Sequence, residues 1–192
     1  MTSAESFENS AVQVDGVQFE TLMPERVFSI PVKQFSPDGN MDIPVQLGIG
    51  ITNNTPIPFR FSSYGRLTPE LMGADSQFLR GVFLRIRRLK PKESYFPLAM
   101  PGESVTFFPN ARLIWFKRVN ELKISIAKGT GGYWNFDILN PGAYHVRFIY
   151  RNENEVDRIN ERGQEGTKPT LLERLWTGRV ITPFIKFCIV SF

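Results

Sequence analysis

Ile43-Pro44-Val45-Gln46-Leu47-Gly48-Ile49-Gly50-Ile51-Thr52 decides the fold: Ile43, Val45, Leu47, Ile49 and Ile51 alternate with Pro, Gln, Gly, Gly and Thr. Successive side chains of an extended chain point to opposite faces, so this period of two describes a strand with one buried face. Asn53-Asn54-Thr55-Pro56 supplies turn chemistry, and Ile57, Phe59 and Phe61 resume the alternation. Residues 43 to 62 therefore read as a strand, a turn and another strand. The pattern recurs along the chain. Val82, Leu84 and Ile86 alternate with Phe83, Arg85 and Arg87; Leu122, Ile124 and Ile126 alternate with Lys123 and Ser125; Tyr144, Val146, Phe148 and Tyr150 alternate with His145 and Arg147.

Turn-forming clusters separate these runs: Ser36-Pro37-Asp38-Gly39, Pro101-Gly102-Glu103-Ser104, Gly129-Thr130-Gly131-Gly132 and Asn140-Pro141-Gly142. Helical signals are sparse. Thr68 to Met72 could make one turn, with Thr68 as cap and Pro69 at the first helical position, and Leu171, Leu172 and Leu175 share a face between Pro169 and Trp176. Neither is long enough to set the fold, and many short strands joined by turns specify an all-β antiparallel sandwich. Residues 1–25, polar and without sustained period, are expected to form an extended arm, with a short strand around Val12 to Phe19. The sandwich is expected over 26–192, with one long charged insertion, residues 151–170, before the last strand. An insertion of that length is a contact loop or a solvated excursion.

Composition agrees. The 192 residues include seventeen Phe and a single cysteine, Cys188, so the core rests on aromatic burial and not on an internal disulfide. Met1 to Ser10 carries neither a basic nor an apolar leader segment, and apolar runs stop well short of the ~20 residues a spanning helix needs. The expected location is the cytoplasm, with no membrane span. The formal net charge of +4 permits an acidic partner.

Leu139-Asn140-Pro141-Gly142-Ala143-Tyr144-His145-Val146-Arg147-Phe148 resembles the turn and penultimate strand of immunoglobulin-like and fibronectin-like domains. There a Pro-Gly turn leads into a Tyr that anchors the strand, burying its ring while its hydroxyl finds a partner. Trp176-Thr177-Gly178-Arg179-Val180 to Val190 resembles the last strand of such domains in bacterial proteins. The resemblance implies an immunoglobulin-like sandwich. In order, Asn53 to Ser63, Pro101 to Phe107 and Pro141 to Tyr144 are also similar to bacterial intracellular proteinase inhibitors of the Bacillus type. The chain departs from that family at Tyr64-Gly65-Arg66-Leu67, where the family continues with Gly-Gln and an aromatic-Asp pair. That likeness implies proteinase inhibition as an alternative function.

Residues that could carry chemistry do not assemble into a recognisable site. His145, the sole histidine, sits mid-strand, where a solvent-facing position is expected, and Cys188 lies in an apolar run suited to packing. One Cys and one His cannot make a structural zinc site. Ser125-Ile126-Ala127-Lys128 spells Ser-x-x-Lys but ends a strand where that motif must open a helix. Asp38-Gly39-Asn40-Met41-Asp42 begins like a calcium loop, yet Ile43 and Ile49 stand where the loop needs Gly and Glu, so a hairpin turn is expected. Gly129 to Gly132 lacks the helix start and Lys of a phosphate cradle and reads as a tight turn. No metal or cofactor is expected.

The strongest positive signal is basic. Arg80, Arg85, Arg87, Arg88, Lys90 and Lys92 fall together without one acid among them. On a strand, Arg85 and Arg87 would share a face opposite Val82, Leu84 and Ile86, forming either a stripe for an anionic partner such as nucleic acid, with Phe83 as a stacking surface, or a charged guard on a sheet edge. Tyr133 and Trp134, beside a Gly-rich turn, could make a sugar platform or anchor the core. The reading is a non-enzymatic protein-interaction or assembly module, with a protein partner or self-assembly expected. Proteinase inhibition and anion binding through Arg85 and Arg87 are the alternatives.

Overall fold

The computed structural model describes residues 11–30, 40–116, 121–138, 140–159 and 169–191. In chain order the strands are β1 (Val12–Val14), β2 (Val17–Leu22), β3 (Val27–Ile30), β4 (Asn40–Val45), β5 (Gly48–Asn53), β6 (Phe59–Arg60), β7 (Leu67–Met72), β8 (Gly81–Arg85) and β9 (Leu98–Ala99). They continue with β10 (Ser104–Phe107), β11 (Ala111–Phe116), β12 (Glu121–Lys128), β13 (Gly132–Ile138), β14 (Gly142–Asn152), β15 (Asp157–Ile159), β16 (Thr170–Leu172), β17 (Gly178–Ile181) and β18 (Ile185–Ser191). Among these residues a single 3-10 turn, Glu93–Tyr95, is the only helical element, and no helix is long and apolar enough to cross a membrane.

The fold is an all-β sandwich of two layers. One layer is a bent sheet. β4 runs into β5 and β10 into β11, and their pairing keeps one register, with Ser104 opposite Thr52 and Phe107 opposite Ile49 before the bend, and Ala111 opposite Val45 and Leu113 opposite Ile43 after it. On one side of the bend β2 and β1 extend the sheet; on the other β12, β13 and β8 extend it. Gly48 stands at the corner, where a Cβ would fall on the Phe107 carbonyl oxygen and lie 2.8 Å from the Phe108 ring. Only a residue without a side chain lets the two backbones cross so closely.

The second layer is centred on β14, which pairs with β7 on one side and with β17 and β18 on the other; β3 joins β18 in parallel. β17 and β18 are one strand line, interrupted at Thr182-Pro183-Phe184. At that break the Thr182 hydroxyl accepts the Phe148 N–H at 2.9 Å, while the Thr182 N–H donates to the Phe148 carbonyl. A side chain thereby replaces a missing ladder acceptor at the bulge.

The alternation read from sequence fills the space between layers. Tyr144, Val146, Phe148 and Tyr150 of β14 face Val17 and Phe19 of β2, Ile49 and Ile51 of β5, and Ile124 and Ile126 of β12 within one core. Phe19, Tyr150 and Trp176 lie with ring centroids 5.0–5.9 Å apart, and Phe61 meets Phe19 edge-on, so aromatic packing joins β2, β14 and the segment before β17. Among the described residues, Arg66 Nε, Trp134 Nε1 and His145 Nδ1 are buried without a hydrogen-bond partner, whereas the polar side chains at the ends of the core strands are paired. Asn53 donates from Nδ2 to Ile57 and Ala99 carbonyls and accepts from the Thr55 N–H and hydroxyl, which is how the expected 53–56 turn is built. Thr21 of β2 bonds both the Thr182 hydroxyl and the Pro183 carbonyl across the core.

Several expectations change. Val12–Leu22 is not part of a detached arm: β1 and β2 form a hairpin around Asp15-Gly16, both at positive φ, and Val17 and Phe19 are fully buried. The sandwich therefore starts well before residue 26; residues 1–10 lie outside the described residues. Residues 151–170 are not a plain loop either. Arg151 and Asn152 finish β14, and β15 pairs with β16. Ile159 and Leu172 bury with Phe96 and Leu175 in a small satellite core, and two further strands follow; residues 160–168 lie outside the description. Thr68 to Met72 is strand β7, because Leu67, Pro69 and Leu71 must all reach the core from an extended chain. Pro169 to Trp176 is likewise extended, β16 leading to a parallel bridge between Leu175 and Arg60. The second half of the 43–62 reading shrinks to β6, which pairs with β9 rather than with β5. The expected turns at 36–39 and at the start of the calcium-like run fall outside the described residues. Gly142 opens β14 without a positive φ, and nothing would lie within 4 Å of a Cβ there, so it does not relieve a tight turn.

Two predictions follow from packing. Gly48→Ala should lower stability by about 2–3 kcal/mol, whereas Gly142→Ala should raise it by about 0.5 kcal/mol, both read from urea midpoints. Burial pushes the Tyr150 phenol up from 10.0 to about 12, against smaller opposing pulls from the Ser62 N–H and Arg66. The unfolded phenol ionises near pH 10 while the folded one stays neutral. Stability should therefore be complete below pH 10 and fall by about 2–3 kcal/mol as pH rises towards 12. Tyr150→Phe should remove that alkaline loss while lowering neutral-pH stability, since the Ser62 N–H loses its acceptor.

Candidate functional site

β8 is an edge strand: among the described residues it pairs only with β13. Its register sets which side chains face where. Phe83 lies opposite Trp134 and Gly81 opposite Phe136, on the side of the sheet that faces the core; Leu84 lies opposite Tyr133 and Val82 opposite Asn135, on the outer side. Phe83 and Trp134 pack at 5.2 Å between ring centroids, and Lys128 places its Nζ 5.0 Å from the Phe83 ring and 5.8 Å from that of Trp134.

The face assignment made from sequence is thus inverted. Val82, Leu84 and Ile86 are not the buried side of the strand but its most open residues, at 56%, 57% and 65% exposure. Alternation identifies two faces without saying which is covered, and on this edge strand the aromatic Phe83, with Gly81, lies on the inward face. Phe83 is consequently no free stacking surface for a base. Tyr133 and Trp134 do not form a platform together, because neighbours on a strand point to opposite faces: Tyr133 lies beside Leu84 and Trp134 beneath Lys128.

The basic run lies at the surface on and around β8. Arg80, Arg85, Arg87, Arg88, Lys90 and Lys92 are all exposed, and none forms an ion pair with a described residue. The stretch after β8 is held against the body. The Leu89 N–H donates to the Thr130 carbonyl at 2.9 Å, the Tyr64 hydroxyl donates to the Leu89 carbonyl, and Tyr64 stacks on Tyr95 with rings 5.9 Å apart. The Gly-rich turn serves this approach: Gly131 has φ +96, and a Cβ on it would strike the Arg87 carbonyl. Its glycines therefore make room for protein backbone.

The remaining candidates separate. Ser125 faces the outer side of β12 and Lys128 the inner side, so they do not meet. His145 is half-buried against the edge of the Phe184 ring rather than fully solvent-facing. Cys188 lies between Ala143 and Val27 on the outer side of its sheet, half-buried and unbridged, not in the core. No family model, curated protein or solved structure matches this chain.

A concave feature elsewhere on the molecule had no sequence signal of its own. A cleft of about 660 Å³ opens between residues 57–59 and 173–177, with Leu175 and Trp176 as its floor and Asp15, Glu155 and Glu173 around it. The residues come from four separate segments of the chain, so no local pattern announces them.

The tether on the basic segment is testable. Tyr64→Phe should cost about 1 kcal/mol and raise amide exchange selectively at Leu89 and Lys90, measured by hydrogen exchange; unchanged protection there would show that the hydroxyl does not hold the segment.

Proposed function

We propose that this chain is a non-enzymatic protein-interaction module that binds an acidic, apolar segment of a partner along the β8 edge. The observation that carries the proposal is the meeting, on and just beyond a strand edge that no other described strand pairs with, of three open aliphatic side chains with six cations that form no ion pair with a described residue. An exposed edge with aliphatic side chains is a template for another strand, and proteins that only guard such an edge turn charge outward. Here the outward positions are Val82, Leu84 and Ile86. Covering each contributes about 1.5–3 kcal/mol when burial is complete, and the cations add long-range steering and selection against basic partners.

The charges also argue against two copies zipping edge to edge. Pairing of β8 with itself would gather two sets of six cations at one seam, and that accumulation of like charge opposes association. Nucleic acid is less well supported, because single-strand binders need free aromatic faces and Phe83 is occupied by Trp134 and Lys128. The Tyr144 hydroxyl donates to the Asn140 carbonyl while its ring is buried, which supports reading the sandwich as immunoglobulin-like.

A fluorescent short peptide alternating Glu and Val, with a Lys and Val counterpart, tests the assignment by anisotropy. The acidic peptide should bind at low salt, and Arg85→Glu/Arg87→Glu should weaken it by roughly tenfold or more. Equal binding of both peptides would remove the charge recognition. Retention of single-stranded oligonucleotide without peptide binding would transfer the site to nucleic acid.

A further inference from the structure

The β8 edge calls for an occupant that is acidic and partly apolar, and the chain carries a segment of that kind. Residues 1–10, Met-Thr-Ser-Ala-Glu-Ser-Phe-Glu-Asn-Ser, hold Glu5 and Glu8 beside the apolar Met1, Ala4 and Phe7, and no Lys or Arg occurs before Arg26. The other longer stretches outside the described residues differ in charge. Residues 31–39 and 160–168 carry both signs, and 117–120 carries only the cations Lys117 and Arg118. The segment without a cation and the run of six cations without an acid are thus complementary.

The pairing order decides whose edge the segment can cover. From β1, where residues 1–10 join the described chain, the order runs through β2 and β5 to β10, which continues into β11, and on through β12 and β13 to β8. Those six strand spacings of about 4.8 Å separate β1 from β8 by roughly 29 Å across the sheet. Ten fully extended residues reach about 33–36 Å from Ala11. On its own molecule the segment would spend most of that length on the crossing, leaving about one or two residues beside an edge that is five residues long. On a neighbouring molecule it can follow the whole of β8. We infer that residues 1–10 occupy the β8 edge of a second copy, so that the protein assembles through its N-terminal segment. This rests on the edge reading above and names its partner. Glu5 and Glu8 then meet the cations of 80–92, and Phe7 with Ala4 helps to cover Val82, Leu84 and Ile86. Each contact joins an acidic segment to a basic edge, which avoids the like-charge seam of edge-to-edge pairing. Segment and edge are different surfaces, so the contact is heterologous, and the assembly closes by reciprocal exchange or continues to a ring or filament.

Sedimentation velocity on the full chain tests this, with Glu5→Lys/Glu8→Lys as the segment variant, Arg85→Glu/Arg87→Glu as the edge variant and the exposed Arg179→Glu as the control. The parent and the control should associate at low salt and dissociate at high salt, as opposed charges across the contact require. Each double variant alone should stay monomeric. Mixed in equal amounts, they should give a complex of two copies and nothing larger, since one intact segment and one intact edge remain. A labelled peptide of residues 1–11 should bind the segment variant, whose edge is intact and empty, and bind the edge variant at least roughly tenfold more weakly. Circular dichroism and urea midpoints matching the parent verify that both variants fold. A parent that stays monomeric, a double variant that assembles alone, or a mixture that stays monomeric overturns the proposal. A monomeric parent whose segment variant alone binds the 1–11 peptide would make the chain's own segment the occupant instead. If the parent is monomeric and only the Glu and Val peptide binds, the edge reading stands and the N-terminal assignment falls; if neither peptide binds, both fall.

Discussion

The crossing of two backbones at Gly48 is the constraint on which the rest of the architecture depends. β4/β11 and β5/β10 pair in one register on the two sides of the corner, so the chain bends there without a slip of its pairing. That continuity lets β2 join one arm of the bend and β12 the other, and places both against β14. A side chain at the corner would push the Phe107 carbonyl away and open the ladder where the two arms share a core. The sandwich thus closes around a contact that involves no side chain at all.

Closing the layers buries polar groups, and their pairing makes the arrangement specific. Asn53 ties the end of β5 to the loop at Ile57 and to β9, and Asn152 does the same for β14, donating to the carbonyls of Asn154 and Trp176. Thr21 and Thr182 join the two layers where β17 gives way to β18. Each group would cost about 1–3 kcal/mol if left unsatisfied, so a slipped register is penalised by far more than lost apolar area alone. Charge, in contrast, is largely local at the surface: Arg147 pairs with Glu70 across the β14/β7 ladder, Arg112 with Asp42 across β11/β4, and the six cations of 80–92 have no such partner among the described residues. Among the described residues, this charge and the open edge of β8 lie in one stretch of chain.

Much of this was legible in the residues. Alternation located β5, β12 and β14 and most of the inward side chains, because a period of two is a local consequence of extended backbone. Asp15-Gly16 between Val12–Val14 and Val17–Leu22 was an equally readable hairpin signal, and weighing it above the polarity of the segment would have brought β1 and β2 into the core. Six clustered cations were visible as a run. The side of β8 that is covered was not, since hydrophobicity suggested burying Val82, Leu84 and Ile86, while the edge position and Trp134 selected Phe83.

By itself, the sequence determined that the chain is built of strands, where most turns fall, and that a basic segment interrupts an otherwise balanced surface, because propensity, alternation and local charge are properties of neighbours in the chain. Tertiary structure alone decided which face of each strand is buried, that two ladders are one bent pair, and that residues near 15, 58, 155 and 174 surround a single groove. Those facts depend on contacts between segments far apart in sequence, such as Gly48 with Phe107, Tyr150 with Ser62 and Thr21 with Thr182, whose energies exist only once the layers have met.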